Sequence, residues 1–397
     1  MADLKRVAVL GGGPAGAFAA ERLARAGLDT VIFDEKLAWE KPCGGGLTYK
    51  AWSEYPFLME NDTPKKLITQ TNIAAPKVGS AALKLRQPLL VYSRFDLNRM
   101  LLQRAENAGA QIEKTRVLGL DRQNGGWKVR TKTGSIRADF CVIATGARNP
   151  LRGTGTEWSA GDTATALGYY VPGAQEQIDI QFLPGLDGYI WVFPRCGHLS
   201  VGICGKSQSA QVMRARLEQY MREHSLSYRG AAFFGHVLPS LTRHSWQRNR
   251  VAGDRWMAVG DAAGLVDPIT GEGLYYAMRS GDLASRSILD ESHAPEAKAQ
   301  AYRRILQEDF GADLGFGILL AERFYRSRFL LDSVPARMVQ FTRRSTRFSI
   351  LIGDLIGGTQ TYLGLRPRIL GGLRRTVTGV PLAYFFNRLW PDATECC

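Results

Sequence analysis

A cluster of glycines near the N-terminus directly follows a short apolar run, and this order is typical of a dinucleotide-binding turn. The run ends at Leu10, and the small residues of the turn are Gly11, Gly13, Ala15 and Gly16. Glycines let the backbone turn tightly and approach a pyrophosphate, and a helix that begins there points its first amides at the anion. The sequence therefore predicts a strand, a glycine turn and a helix arranged around a dinucleotide phosphate.

An acidic residue at the end of the next β-rich run strengthens this prediction. Residues 30–33 read Thr-Val-Ile-Phe, and Asp34 follows them. A carboxylate at this spacing accepts hydrogen bonds from a ribose. Glu35 is the competing acid, and we favour Asp34 because it follows the apolar strand directly. A glycine-rich turn in some other α/β protein is the alternative interpretation.

Two later regions could contact the same kind of cofactor. Asp261 follows Gly260 after an apolar run, and an aspartate at a strand-to-helix turn suits a ribityl hydroxyl. Gly271 and Gly273 would let backbone amides approach the edge of a flat ring, where such donors stabilise the negative charge of a reduced flavin. Arg94 is a candidate pyrophosphate contact, and an ordinary surface ion pair is the alternative for it.

Cys43 is the candidate catalytic residue. Three glycines follow it, beginning with Gly44 and Gly45, so that the backbone there could lie close to a planar ring. A thiol at this position could donate a proton, act as a redox-sensitive gate or serve only as a small apolar side chain. We therefore assign Cys43, Gly44 and Gly45 to the cofactor site and keep the three roles of the thiol open.

Three aromatic residues alternate along one predicted strand and are the candidate substrate-binding residues. Tyr189, Trp191 and Phe193 are each two positions apart, so that all three project from one face of a strand. Such a wall suits a long hydrocarbon ligand. Plain core packing against a neighbouring sheet is the alternative.

The remaining pattern predicts the elements that position these residues. A buried-strand pattern ends just before Gly146, which we add to the cofactor site, and residues 169–246 change to short β runs. This change is typical of an antiparallel sheet inserted into an α/β domain. We predict an α/β fold. A Rossmann-type domain takes residues 1–75, 92–165 and 250–294, an inserted antiparallel-sheet substrate domain takes residues 76–91 and 166–249, and a C-terminal helical segment takes residues 295–397.

Composition excludes several classes of protein. No apolar run is long enough for a spanning helix, and the short apolar run at the N-terminus is the first predicted strand rather than a secretory signal. The six cysteines form no CxxC pair, which favours reduced thiols in the cytoplasm. The five histidines have no metal-ligand spacing, and we predict no metal. The adjacent Cys396 and Cys397 lack the prenylation ending, and their role is not predicted.

The positive charge is concentrated near the C-terminus. The formal net charge is +14, and residues 335–375 contain eight arginines against the single acid Asp354, with apolar groups among them. Basic and apolar residues together fit a surface that rests on anionic lipid headgroups. A solvated basic face is the alternative. No zinc-finger or RNP-type motif accompanies the charge, so we predict no nucleic-acid partner and make no prediction of oligomeric state.

Taken together, the glycine turn, the Arg94 segment, the Gly260-Asp261 pair and residues 268–273 resemble the p-hydroxybenzoate-hydroxylase-type flavoproteins over about residues 3–290. Within that group the chain is most similar to the geranylgeranyl reductases. Residues 41–47 match their KPCGG segment and residues 189–194 their YxWxFP signature, whose aromatics line a prenyl tunnel; residues 353–358 and 362–366 resemble their C-terminal tail. The resemblance implies that the Rossmann-type domain binds FAD.

Two departures from the family pattern concern the tunnel and the electron donor. The segment after the signature proline reads Gly202-Ile-Cys204-Gly205, where a GxG is usual. Residues 144–146 read Ala-Thr-Gly, where many hydroxylase relatives have an Asp-Gly linked with NADPH use. The donor, NADPH or ferredoxin, therefore stays undecided.

The resemblance implies an FAD-dependent reductase that saturates carbon–carbon double bonds of a geranylgeranyl or other polyprenyl chain by hydride transfer from reduced flavin. Because a trisubstituted alkene is not polarised, an acid must protonate the second carbon, and Cys43 or an ordered water could do so. A flavin monooxygenase or halogenase acting on an aromatic substrate is the alternative, although the halogenase WxWxIP signature is reduced here to Tyr189 and Trp191. A third reading is a flavin-stabilised prenyl-lipid carrier that catalyses nothing.

Overall fold

The computed structural model describes residues 4–123, 125–151, 153–292, 294–329 and 332–368. Two large sheets organise this part of the chain, with helices between and around them. The fold is of the predicted α/β class, with a Rossmann-type sheet, a second sheet and helices at the C-terminal end.

The first sheet has six strands and carries the glycine turn. In spatial order these are β16 (Ala252–Gly253), β17 (Trp256–Ala258), β10 (Phe140–Ile143), β1 (Arg6–Leu10), β2 (Asp29–Phe33) and β6 (Gln111–Glu113). All neighbours are parallel except β16 and β17. Parallel strands covered on both faces read as continuous apolar runs, which is why β1, β2 and β10 were recognisable in the sequence.

The second sheet has eight strands and carries the three aromatic residues. In spatial order these are β15 (Ala232–Pro239), β11 (Thr163–Val171), β14 (Leu199–Lys206), β13 (Asp187–Pro194), β12 (Ile178–Phe182), β4 (Lys65–Ala75), β5 (Gly79–Tyr92) and β3 (Gly46–Leu47). Neighbouring strands are antiparallel except β12 and β4, which are parallel. Residues 65–75, which our predicted boundaries gave to the first domain, thus pair within the second sheet as β4 because they form a hairpin with β5.

Two small sheets complete the described strands. One consists of β7 (Val117–Gln123), β8 (Gly126–Thr131) and β9 (Ser135–Ala138), and the other of β18 (Arg328–Phe329) and β19 (Asp332–Ser333).

The described helices are α1 (Pro14–Arg25), α2 (Tyr49–Glu54), α3 (Arg94–Asn107), α4 (Ala210–Glu223), α5 (Arg243–Gln247), α6 (Leu274–Leu289), α7 (Pro295–Leu306), α8 (Ala312–Arg326), α9 (Val334–Arg344) and α10 (Thr346–Gly357). Against the first sheet, α1 packs on α3 and α6. Ser93 starts α3 by accepting a hydrogen bond from the Asp96 amide at 3.1 Å, which places Arg94 in the first turn of that helix.

The C-terminal helices cover the second sheet. Helix α9 lies against β4 and β5, α10 lies against β5, and their buried side chains form one apolar cluster with the sheet. Within the part of the chain that is described, we find no helix with the length and apolarity needed to span a bilayer. Residues 369–397, which include Arg374, Arg375, Cys396 and Cys397, lie outside the described residues.

Candidate functional site

The glycine turn leaves the first amides of α1 accessible. Gly11 has a φ of +118°, and a Cβ there would lie 2.2 Å from the carbonyl oxygen of Ala144, while a Cβ at Gly16 would lie 1.9 Å from that of Gly11. These two glycines are therefore required by packing. Gly13 is different, because a Cβ there would meet no described atom within 4 Å and no side chain caps the helix. The space in front of α1 fits an anionic ligand.

Asp34 lies at the end of β2 beside this turn. Its carboxylate accepts hydrogen bonds from the amide of Gly12 at 2.7 Å and from the amides of Lys36 and Leu37 at 2.7 and 2.8 Å. Oδ1 accepts two of these bonds and Oδ2 one, so Oδ2 can accept a further bond and the predicted ribose contact is chemically possible. Glu35, the competing acid, is exposed and lies 3.9 Å from the ammonium of Lys132.

Asp261 is held by Lys41, which opens the KPCGG segment but is not among the predicted cofactor-binding residues. The Nζ of Lys41 lies 3.0 Å from its Oδ2, and both side chains line one large cavity. Burial acts to raise the pKa of Asp261, but the Lys41 ammonium and the nearby His236 and Arg94 outweigh it and hold that pKa below its ordinary value. The aspartate therefore stays ionised and able to accept hydrogen bonds.

Two buried polar groups face the same part of the cavity without a partner among the described residues. Arg94 is buried, its Nη2 donates to Asn98 at 3.3 Å, and its Nε has no hydrogen-bond acceptor in the described chain. The Nε2 atom of His236 is likewise buried and unpartnered within that chain. A buried guanidinium nitrogen left without an acceptor is costly, so the site fits a ligand that brings an anion to Arg94.

A tight loop brings the second pair of glycines to the cavity. The Oδ1 of Asp267 accepts hydrogen bonds from the amides of Ile269 and Thr270 at 3.0 and 2.8 Å, which folds the loop toward α6. Gly271 has a φ of +71°, and Gly273 precedes the first turn of α6. The structure therefore brings these glycines into the same cavity as Gly13, Cys43 and Arg94.

Two of the three glycines after Cys43, Gly44 and Gly46, approach a planar ring, and in the structure that ring is Phe193. A Cβ at Gly44 would lie 3.0 Å from the phenyl ring, and one at Gly46 would lie 2.8 Å from it. Gly45 has a φ of +83°, and a Cβ there would lie 2.1 Å from the carbonyl oxygen of Tyr92. Two of these glycines thus seat the loop on β13, while the loop still lines the cavity with the Cys43 side chain.

Arg195 anchors this loop, and the sequence analysis missed it. Its guanidinium is fully buried, donates to the carbonyl oxygens of Cys43 and Gly44, and pairs with Glu40. Glu40 in turn accepts hydrogen bonds from the amides of Arg94 and Phe95 at 2.9 and 3.2 Å. The Arg195–Glu40 pair therefore connects the Cys43 loop to the start of α3.

The three predicted aromatics line the cavity together. Tyr189, Trp191 and Phe193 lie along β13, and the hydroxyl of Tyr189 donates to the carbonyl oxygen of Thr270 in the loop that holds Gly271. Trp191 lies over Gly202, where a Cβ would be 2.2 Å from the indole. Gly202 therefore makes room for the indole of Trp191.

Apolar side chains extend the cavity between the second sheet and the C-terminal helices. On the sheet side it is lined by Ile73, Leu89, Ile178, Ile180 and Phe182, and on the helix side by Leu320, Phe324, Val334, Met338, Phe348, Leu351, Ile352, Leu355 and Ile356. We call this part the apolar chamber. One cavity therefore joins the glycine turn to a chamber with almost no polar wall.

A second polar group lies between α2 and α6. The Nζ of Lys50 is 3.1 Å from Glu272 Oε2 and donates to the hydroxyl of Tyr276 at 2.8 Å, and Thr48 donates to Glu272 Oε1 at 2.7 Å. All four residues line the cavity. Nothing in the sequence pattern indicated this group, because its members come from two distant segments.

Comparison with known proteins finds one matching family model and related sequences. Residues 5–166 match the family model described as pyridine nucleotide-disulphide oxidoreductase. The chain is 31% identical to a chloroplastic geranylgeranyl diphosphate reductase of Oryza sativa subsp. japonica over 72% of this chain, and it spans 66% of that relative's length. It is 27% identical to a digeranylgeranylglycerophospholipid reductase of Methanothrix thermoacetophila, over 94% of this chain and 99% of the relative.

Solved structures share the fold. A geranylgeranyl bacteriochlorophyll reductase-like protein of Thermoplasma acidophilum superimposes with a TM-score of 0.76 at 22% identity, over 92% of this chain and 100% of that one. A flavin-dependent brominase superimposes with a TM-score of 0.67 at 17% identity, over 89% of this chain and 93% of that one.

Proposed function

We propose that this chain, which belongs to the geranylgeranyl reductase family of FAD-dependent oxidoreductases, saturates carbon–carbon double bonds of a polyprenyl chain. The observation that carries the proposal is the continuity of one cavity, which is lined by Gly13, Arg94 and Asp261 at one end and by the apolar chamber at the other. Long hydrocarbon substrates need such a chamber, and a hydride donor must lie at its inner end.

The residues at the inner end fit FAD. The amides that follow Gly13 and the unpartnered Nε of Arg94 would hold the pyrophosphate, Asp34 the ribose and Asp261 the ribityl chain. The ring would lie by the glycine positions of the site, which are Gly44, Gly45, Gly146, Gly271 and Gly273. When bound and reduced, FAD supplies the hydride for the alkene.

The chain's own side chains would orient the alkene and keep water out. Trp191 and Phe193 form a rigid aromatic wall, and the leucines and isoleucines of α10 close the other side. An apolar chamber binds a prenyl chain through the area that it removes from water, about 25 cal/mol per Å². Since the wall of the chamber is almost entirely apolar, the double bonds of the substrate would be positioned by the shape of the chamber.

The proton for the second carbon would come from the inner end of the chamber. Cys43 lines the cavity, and its Sγ accepts a hydrogen bond from the Gly45 amide at 3.3 Å, which orients the thiol. The proton moves from Cys43 Sγ, or from a water beside it, to the alkene carbon that does not receive the hydride. A Cys43→Ala variant that retains full activity would favour the water.

We further propose that the C-terminal helices rest on an anionic membrane. Arg344 and Arg347 are exposed around the junction of α9 and α10, and Ile350 is exposed one turn farther along. Two other arginines of this region bond within the protein. Arg343 donates to the carbonyl oxygen of Val78, and Arg368 pairs with Asp354. Because α10 also lines the apolar chamber, a membrane-dissolved prenyl chain would enter beside it.

The function is tested by product analysis. The purified protein is loaded with FAD, reduced with dithionite without oxygen and incubated with a geranylgeranyl lipid, and the product is examined by mass spectrometry. The expected product gains two hydrogen atoms for each double bond reduced. In a parallel incubation with oxygen, an aromatic compound and halide added, hydroxylated or halogenated product would favour a monooxygenase or halogenase, and lipid that stays unchanged with no such product would favour a carrier. Because dithionite replaces the physiological reductant, the result does not depend on whether NADPH or ferredoxin is the donor.

A further inference from the structure

The ion pair between Lys50 and Glu272 lies at the end of the cavity where Gly271 and Gly273 are found. Glu272 stands between Gly271 and Gly273 in the sequence, and its carboxylate is mostly buried. Its partner Lys50 comes from α2 and reaches it at 3.1 Å. The pair is therefore attached directly to the loop whose amides would face the flavin.

The pair is charged and partly shielded from solvent, with 27% of the Lys50 side chain and 8% of the Glu272 side chain exposed. Burial acts to lower the pKa of Lys50, but the carboxylate of Glu272, with Tyr276 and Asp267, outweighs burial and raises that pKa above its ordinary value. The ammonium also lies 4.4 Å from the centre of the Tyr276 ring and 5.1 Å from that of Tyr275. Lys50 therefore stays cationic, and its positive charge is balanced by one carboxylate in direct contact.

The two neighbouring carboxyl groups accept hydrogen bonds from neutral donors. Asp267 accepts from the Tyr362 hydroxyl at 2.7 Å, and Asp313 of α8 accepts from the Leu363 amide at 2.8 Å. Burial raises the pKa of Asp313, which favours its neutral form. Lys50 and Glu272 are thus the pair of opposite charges in contact at the loop of Gly271 and Gly273, while Lys41 and Asp261 form a separate pair in the same cavity.

We propose that the Lys50–Glu272 pair sets the reduction potential of the bound flavin by keeping the charge beside its pyrimidine ring balanced. The proposal rests on FAD binding at the glycine turns. Reduction adds negative charge to the ring, and a buried unpaired charge nearby acts through a low dielectric. An intact pair contributes little net field. Loss of either member leaves the other uncompensated, and the two losses must act in opposite directions.

The experiment measures the midpoint potential of FAD bound to four variants. Glu272→Gln leaves the Lys50 ammonium without its anionic partner and is expected to raise the midpoint potential. Lys50→Met leaves the Glu272 carboxylate without its cationic partner and is expected to lower it. Each shift should correspond to at least a tenfold change in the equilibrium between oxidised and reduced flavin, about 30 mV for a two-electron couple. The double variant should return close to the wild-type value. Thr48→Val, which removes a neutral hydrogen bond to Glu272, should change the potential least.

A purely structural pair predicts a different pattern. If the ion pair only fastened α2 to α6, both single variants would lower stability and neither would move the potential, or both would move it in the same direction; either pattern overturns the proposal. Lys50→Gln provides a second neutral variant if Lys50→Met does not fold. Wild-type protein that binds no FAD would contradict the proposed function itself. Normal FAD binding with unchanged potentials contradicts only the role of the pair.

Discussion

The two ends of the cavity are built in different ways. At the cofactor end, charged side chains meet specific partners: Lys41 meets Asp261 at 3.0 Å, and the Arg195–Glu40 pair holds the Cys43 loop from behind the cavity wall. In the apolar chamber no such pairs occur among the lining residues of β12, α9 and α10, and the wall consists of side chains packed by shape. One end therefore depends on individual bonds, and the other on the sum of many weak contacts.

This difference determines what a substitution can do at each end. Removal of one member of a buried charged pair leaves the other uncompensated, so that a single change is costly and local. In the chamber, a single change alters the volume available to the hydrocarbon and leaves the cofactor contacts in place. Substitutions at the two ends should therefore separate cofactor binding from substrate binding.

The largest effect is expected at Arg195. Arg195→Met leaves the carboxylate of Glu40 without its buried guanidinium, and we expect the free energy of unfolding to fall by about 3–5 kcal/mol. Denaturant unfolding of the protein without cofactor measures this. Arg214→Met, which breaks an exposed pair with Glu218, is the control and should lower the free energy of unfolding far less. A comparable loss in both variants would contradict the account of Arg195.

The next effect concerns pH and His236. Burial, followed by the cation Lys41, lowers the pKa of His236 to about 4 from its ordinary value of 6.5. Between these values the unfolded chain binds a proton that the folded chain does not, so stability falls as the pH decreases from about 6.5 to 4, by about 3 kcal/mol for this group. His236→Gln should flatten this part of the stability profile. An unchanged profile would mean that His236 is protonated in the folded protein.

Arg94 should affect the cofactor and not the fold. Because its Nε has no acceptor within the described chain, Arg94→Met is expected to leave the stability of the FAD-free protein unchanged or higher. Loss of a charge-assisted bond to the pyrophosphate should weaken FAD binding by about 1.5–3 kcal/mol. Fluorescence titration with FAD tests this. Arg99→Met is the control on the same helix, because Arg99 pairs with Asp96 on the surface. Equal FAD affinity for wild type and Arg94→Met would remove Arg94 from the site.

The chamber should show the reverse behaviour. Leu351 of α10 lines the cavity, and Leu351→Trp fills part of it. We expect the KM for a prenyl substrate to rise roughly tenfold or more while FAD affinity stays the same. The matched control is Ile350→Trp, one residue earlier on the same helix and exposed. If Leu351→Trp weakened FAD binding as much as substrate binding, the two ends would not be independent.

The smallest effect per residue is expected at the membrane surface. Arg344 and Arg347 should each contribute about 1 kcal/mol to binding of vesicles that contain phosphatidylglycerol, and the contribution should decrease with salt. Cosedimentation of Arg344→Gln and Arg347→Gln measures it, with the exposed Lys114→Gln and Arg116→Gln as controls outside the C-terminal helices. If the wild-type protein stays in the supernatant at low salt, the arginines form a solvated face that does not bind the membrane.

The sequence predicted the features that depend on the pattern of residues within one segment. The glycine turn, the strands on either side of it and the alternation of Tyr189, Trp191 and Phe193 follow from spacing within one segment, and the structure has each of them in the predicted element. The glycines after Cys43 indicated that the backbone there lies close to a planar ring, but they did not indicate which ring. The contact with Phe193 depends on the tertiary structure, which brings the loop onto β13.

The polar pairs could not be predicted, because their members are far apart in the chain. Lys41 and Asp261 are separated by 220 positions, and Glu40 and Arg195 by 155. No periodicity connects such positions, and only the meeting of the two sheets brings them together. The same holds for β4, whose membership in the second sheet depends on pairing with β5 and β12.

The central claim is that hydride passes from flavin at one end of the cavity to a prenyl alkene in the other, and its most direct test is a single turnover without oxygen. FAD on the protein is reduced with one equivalent of dithionite, a geranylgeranyl lipid is added, and the absorbance of oxidised flavin is followed. The account predicts that the absorbance returns, with one flavin oxidised for each double bond saturated, and that the return is slowed in Leu351→Trp but not in Ile350→Trp. Flavin that stays bleached with lipid present, and regains its colour only when oxygen is admitted, would contradict it.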